Sequence, residues 1–137
     1  MAKTPEWTDE LLTGDLEIDA AHRLLFKRAL DFAGACERGQ GVQHLDGMLA
    51  FFIDHGARHF VCEEEKMAAI DYPYMATHIA AHRSFQNRLE ELRELAAQPG
   101  NEQRAARACA ELALDWFARH VRLVDRPFIE LLRGDRR

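Results

Sequence analysis

The chain lacks most of what would place it on a nucleic acid or in a membrane. Basic residues are the minority, 18 Lys and Arg against 23 Asp and Glu, for a net charge of −5. No basic stripe with interleaved aromatics is present, so no nucleic-acid partner is expected. The C-terminal Arg133, Asp135, Arg136 and Arg137 are too few and too mixed in sign to alter that. No stretch approaches the roughly 18 consecutive apolar residues of a membrane span. Met1 to Trp7 carries no apolar run behind Lys3, so no signal peptide is expected and the expected location is cytoplasmic. Cysteine is scarce. Cys36, Cys62 and Cys109 make an odd count without paired spacing, which reads as free thiols in a reducing compartment. Glycine and proline interrupt the chain at only a few points: Gly39–Gly41, Pro73, Pro99-Gly100 and Pro127. Strict apolar/polar alternation, the mark of a strand, is missing. So are internal repeats, low-complexity tracts and any sign of a second domain.

What remains is 137 residues of ordinary globular composition, enough for one domain with a modest core. The first 18 residues hold two acidic turns, Thr8-Asp9-Glu10 and Thr13-Gly14-Asp15, and read as an arm. Four helical segments follow, at about 19–37, 42–68, 73–97 and 102–122, with a short tail helix at about 126–132. Asp19 is the expected N-cap of the first. Pro73 is expected in the first turn of the third, where its missing N–H costs nothing. Each segment carries a stripe stepped in threes and fours, as a core-facing helix requires: Ile18, His22, Leu25, Ala29, Phe32, Cys36; Leu45, Leu49, Phe52, His59, Glu63, Met67; Met75, His78, His82, Phe85, Leu89, Leu92; Ala105, Cys109, Leu112, Trp116, His120. Short connections between four helices of similar length predict an all-α, up-down-up-down antiparallel four-helix bundle.

Every stripe contains polar residues that do not belong in an apolar core: His22, then His59 and Glu63, then His78 and His82, then His120. Buried without partners, each would cost several kcal/mol. His22 stands near the start of its helix, His59 and Glu63 near the end of theirs, His78 and His82 near a start, His120 near an end. In an up-down-up-down bundle these four places share one end, so the six side chains converge in one layer. His59/Glu63 and His78/His82 are i,i+4 pairs, which stack on one helix face and can chelate one ion or flank two. Either pair alone is weak; the convergence is the specific signal.

Asp125 follows His120 by five residues. In a regular α-helix that step turns the side chain roughly 140° away. Two readings are open at this point. A locally widened turn or a bend near Pro127 brings Asp125 to the same layer, or Asp125 merely caps the tail helix.

Four segments carry a resemblance: Ile18-Asp19-Ala20-Ala21-His22, His59-Phe60-Val61-Cys62-Glu63-Glu64, His78-Ile79-Ala80-Ala81-His82 with Phe85, and Trp116-Phe117-Ala118-Arg119-His120 with Asp125. Together they resemble hemerythrin, specifically the single-domain bacterial hemerythrins, over nearly the whole chain, with all seven ligand positions filled. The resemblance implies that His78, His82 and His120 hold one iron, that His22 and His59 hold the other, and that Glu63 and Asp125 bridge them. It favours Asp125 as a ligand over Asp125 as a cap. The departures are Ala21, where the family often has Gln, Pro127 close behind Asp125, and Cys62 between two ligands.

The donor count bears on the chemistry. Seven ligands are too many for one tetrahedral zinc, and five imidazoles exclude an oxygen-only Ca²⁺ or Mg²⁺ site. On two six-coordinate ions, five imidazoles, two bridging carboxylates and one bridging oxide or hydroxide leave a single position open, on the iron with two histidines. The expected cofactor is two non-haem iron ions, oxo- or hydroxo-bridged, and the expected ligand is O₂. Ferritin-like oxidases use mostly carboxylates with Glu-x-x-His pairs, whereas here histidine dominates and no Glu-x-x-His occurs. That favours reversible O₂ binding, for storage or delivery to an oxygen-using enzyme, over an enzymatic role. The alternatives are an O₂ or redox sensor module and a di-iron enzyme handling peroxide or nitric oxide. Leu25, Phe60, Trp116, Phe117, Val121 and Val124 stand beside ligands and are expected to line a dry pocket. His55 is expected at the boundary, His44 in solvent, and Glu64 and Glu65 on a solvated face.

Overall fold

The computed structural model describes residues 12–132 and Gly134. Every regular element among them is helical. Helix α1 spans Leu16–Glu37, α2 Gly41–Ala69 and α3 Met75–Ala96. The fourth helical run begins with α4, Glu102–Glu111, and passes without a break through a π-turn at Leu112–Trp116 and α5, Phe117–His120. It continues through a second π-turn at Val121–Asp125 into α6, Arg126–Leu132. No helix among the described residues is long and apolar enough to cross a membrane.

Three boundaries differ from the sequence reading, each for a local reason. Helix α1 starts at Leu16, before the expected start near Asp19. Its N-cap is Asp15, whose carboxylate accepts from the Ile18 N–H at 3.0 Å. Asp19, expected as the cap, is buried and holds the preceding loop instead. It accepts from the Thr13 N–H at 2.8 Å, the Thr13 hydroxyl at 2.7 Å and the Gly14 N–H at 3.1 Å. Both acids suit a helix start, where the dipole favours negative charge, and the loop geometry decides between them. The expected turn at Thr8-Asp9-Glu10 lies outside the described residues.

Pro73 precedes α3 rather than sitting in its first turn. The Met75 N–H donates to the Tyr72 carbonyl at 3.2 Å, so Pro73 takes the second place of a β-turn that its fixed φ favours.

The third difference is the largest. The predicted break between residues 122 and 126 is absent, and Arg126 keeps helical angles (φ −58°, ψ −47°) although a proline follows it. A proline normally disfavours that geometry by crowding the turn before it. Here the turn before it is the widened one, Val121–Asp125.

Helix α1 packs on α2, α2 on α3, α3 on α4, and α4 also on α1 and α2. The predicted stripes are the buried faces: Leu25, Ala29 and Phe32 of α1, Leu45, Leu49 and Phe52 of α2, Phe85 and Leu89 of α3, and Ala105, Cys109 and Leu112 of the fourth run. Phe26, Phe52 and Phe85 are fully buried here. Each contributes about 1.5–3 kcal/mol by leaving water. A second, smaller cluster of Ile18, Met67, Tyr72, Phe128 and Ile129 lies apart, with α6 resting on α2. Between the two clusters is a layer of buried polar side chains.

Candidate metal centre

The i,i+4 steps of α2 and α3 set His59 beside Glu63 and His78 beside His82, as the α-helical repeat dictates. His22 comes from α1 and His120 from the last turn of α5. Asp125 arrives by the second π-turn. One extra residue in that turn cancels the rotation that a regular helix would impose over five residues, and Asp125 Oδ1 lies 2.9 Å from His120 Nε2. Of the two readings left open by spacing alone, the widened turn is the one the fold adopts, and Asp125 is fully buried in the layer.

All seven residues converge, and they do so in two groups. Glu63, His78, His82, His120 and Asp125 form one, and His22, His59, Glu63 and Asp125 the other. Both carboxylates belong to both groups, and each divides its oxygens between them. Glu63 Oε2 lies 3.4 Å from His22 Nε2 and 3.2 Å from His59 Nε2. Glu63 Oε1 lies 3.4 Å from His78 Nε2 and 3.0 Å from His82 Nε2. Asp125 Oδ2 faces His22 Nε2 at 3.2 Å, and Oδ1 faces His78 Nε2 at 2.8 Å.

Those separations fall within hydrogen-bond range, yet the atoms are not aligned as donor and acceptor. Both oxygens of Glu63 and of Asp125, and Nε2 of His22, His78, His82 and His120, have no hydrogen-bond partner. A buried polar atom left unpaired costs about 1–3 kcal/mol. A shared target removes that cost. Two donors at right angles on an ion with bonds of about 2.1 Å stand about 3.0 Å apart, close to the observed spacings. Imidazole nitrogen with carboxylate oxygen is a donor set for a transition metal, so these residues fit a bound cation.

A family model, the hemerythrin HHE cation binding domain, matches residues 13–132. The chain belongs to the hemerythrin family. It is 32% identical over 121 residues to a bacteriohemerythrin of Ralstonia nicotianae, covering 88% of this chain and 83% of that one. It is 25% identical over 128 residues to a bacteriohemerythrin of Stenotrophomonas maltophilia, covering 93% and 81%. A bacteriohemerythrin of Clostridium acetobutylicum is 24% identical over 127 residues, covering 90% and 98%. Family membership makes the polar layer a cation site of the non-haem iron kind.

The electrostatics of this hemerythrin site are those of a proton trap that a metal must empty. Burial opposes the imidazolium of His22 and of His78, but the Asp125 and Glu63 carboxylates outweigh it and raise both to about 9. Burial would raise Glu63, yet His59, His22 and His78 hold it well below the usual carboxylate range. Asp125 is lowered too, as His120 and His22 overcome its burial and the repulsion of Glu63. Metal uptake therefore displaces protons.

Of the six residues expected to line a pocket, three make ring contacts with the site. Phe60 stacks on His82 at 3.9 Å with planes 9° apart. Trp116 stacks on His120 at 4.4 Å and 11°. Phe117 meets His22 edge-on at 5.4 Å. Leu25 and Val121 are buried in the same cluster, and Val124 is half-buried. Tyr72 and Phe128, which the sequence reading missed, meet His78 edge-on from the smaller cluster at 6.4 and 5.7 Å. Their signal was faint: one precedes a proline turn and the other lies in what looked like a detached tail.

Glu64 was also misplaced. It was expected on a solvated face with Glu65, but Glu64 Oε2 lies 2.9 Å from His82 Nδ1, while Glu65 is exposed. His55 is half-buried against Phe51 at 4.6 Å, and His44 is exposed. Cys62 donates to Glu17 at 3.2 Å. Burial and then that carboxylate push its thiol up to about 11. Burial pushes Cys109 up to about 12. Both are poor nucleophiles at neutral pH.

Proposed function

We propose that this chain binds O₂ reversibly at a non-haem di-iron centre and so stores oxygen or delivers it to an oxygen-using enzyme in the cytoplasm. The observation that carries the reading is the division of the donors into two groups sharing both carboxylates, with one group a donor short. In this reading His78, His82 and His120 would hold one iron and His22 and His59 the other, with Glu63 and Asp125 offering a donor to each. The helices run up-down-up-down, which gathers the ligands at one end. When bound, the irons supply two electrons and one vacant coordination position, next to His22 and His59, for O₂.

The chain's own residues do the rest. Each carboxylate offers one oxygen to each group, which would hold two ions at a set spacing. Phe60, Trp116, Phe117, Leu25 and Val121 would keep water, and the protons it carries, away from the centre. With one vacant position, an organic substrate and O₂ cannot both be held on metal, which favours binding over oxygenation.

The test is an optical cycle on the reduced, iron-loaded protein. The reading expects a charge-transfer band that appears with O₂, bleaches when O₂ is removed and returns on readmission, with no hydrogen peroxide released. Immediate conversion to a stable diferric form with release of hydrogen peroxide would overturn the carrier reading in favour of a sensor or an enzyme.

A further inference from the structure

Among the five clustered histidines the outer ring nitrogens are unequally treated. Nδ1 of His22, His59 and His78 is buried without a hydrogen-bond partner. Nδ1 of His82 instead lies 2.9 Å from Glu64 Oε2. The His82 side chain is 1% exposed, whereas that of Glu64 is 27% exposed, so the pair links a buried ring to a carboxylate at the protein edge. Phe60 covers the ring's face at 3.9 Å. His82 is thus gripped at one face and one edge, with Nε2 left aimed at Glu63 Oε1 at 3.0 Å.

We propose that Glu64 is a positioning residue for the three-histidine metal position: it accepts the Nδ1–H of His82, which keeps the Nε2 lone pair directed into the centre and makes that ring a stronger donor than His22, His59 and His78, whose Nδ1 atoms have no partner. The physical basis is general. A carboxylate on the far nitrogen of a ligating imidazole fixes its tautomer and orientation and raises its basicity, and its loss typically costs 10–100-fold in metal affinity. An ordinary exposed ion pair has no such leverage, but here one partner is buried and its other nitrogen faces the site. The effect is local. Glu64 serves one ligand of one group, so the His22/His59 position should not feel it. The inference rests on the metal reading above only for its consequence, since the Glu64–His82 bond itself can be observed without metal.

The test compares wild type with Glu64→Gln and Glu64→Ala in two measurements. In metal-free protein with ¹⁵N-labelled histidine, the His82 Nδ1–H should exchange slowly with solvent in wild type and Glu64→Gln and at least tenfold faster in Glu64→Ala. In ferrous-loaded protein, a chelator should remove one of the two irons 10–100-fold faster from Glu64→Ala than from wild type, with the other iron unchanged. Glu64→Gln, which still accepts the hydrogen bond, should stay within a few-fold of wild type on release. It should also shift the potential of one iron upward, because the negative charge is gone. Fast exchange in wild type overturns the proposal, as does equal acceleration of both irons or a Glu64→Gln that behaves like Glu64→Ala. If wild type takes up no iron while the exchange pattern holds, the di-iron reading fails and the positioning bond stands.

Discussion

The two halves of the site share their carboxylates and differ in almost everything else. The His78/His82/His120 half has five donors, and two of its rings are face-stacked, His82 on Phe60 and His120 on Trp116. The His22/His59 half has four donors. Its rings meet each other edge-on at 4.6 Å, and Phe117 touches His22 by its edge alone. One half has a donor more and two stacked rings; the other has a donor fewer and only edge contacts on His22. Under the proposed di-iron reading, a small ligand would enter at the half with fewer donors while the other half would hold the pair in place.

The strongest way to break the comparison is to remove what the halves share. Asp125→Ala takes a donor from both groups and leaves Glu63 as the only bridge. Iron content by elemental analysis should fall from two per chain to below one, with circular dichroism still helical. A subtler contrast comes from the histidines. His120→Ala reduces the five-donor group to four, the number the other group already works with, so two irons should remain, with faster loss to a chelator. His22→Ala reduces the four-donor group to three, and one iron should be lost. Equal losses from the two variants would remove the asymmetry from the account.

Proton linkage sharpens the same picture in metal-free protein. His22 and His78 are raised from 6.5 to about 9. The stability they contribute is therefore fully present below about pH 6.5 and is lost as pH rises through about 9. Urea midpoints of the metal-free protein should decline across that window, and those of the iron-loaded protein should not. The smallest effect lies away from both groups. Asp15→Ala removes the α1 cap and should cost about 1 kcal/mol without changing iron content, read from urea unfolding and elemental analysis.

Much of this was legible in the sequence, and the misses share a cause. The stripes of threes and fours located Leu49, Phe52, Phe85 and Leu89 in the core because helical periodicity is a property of the chain itself. The convergence of His22, His59, Glu63, His78, His82 and His120 followed from where they stand along helices of similar length. Asp125 stayed undecided because a π-turn differs from an α-turn by one residue of backbone hydrogen bonding, which no local pattern announces. Its neighbour Pro127 pointed toward non-helical angles at Arg126, which that residue does not adopt. Glu64 was assigned to solvent because it is adjacent to a ligand and lies off the stripe; only the packing of α3 on α2 shows that His82 reaches it. Asp19, the expected cap, is instead taken up by the Thr13-Gly14 loop, and Asp15 caps the helix.

The central claim is that seven side chains form two adjoining metal positions, and the most direct measurement is the iron count of protein loaded anaerobically with ferrous iron and freed of excess. The account predicts two irons per chain, falling to about one in His22→Ala. One iron in the folded wild-type protein would contradict it, and none would return these histidines to a purely structural role.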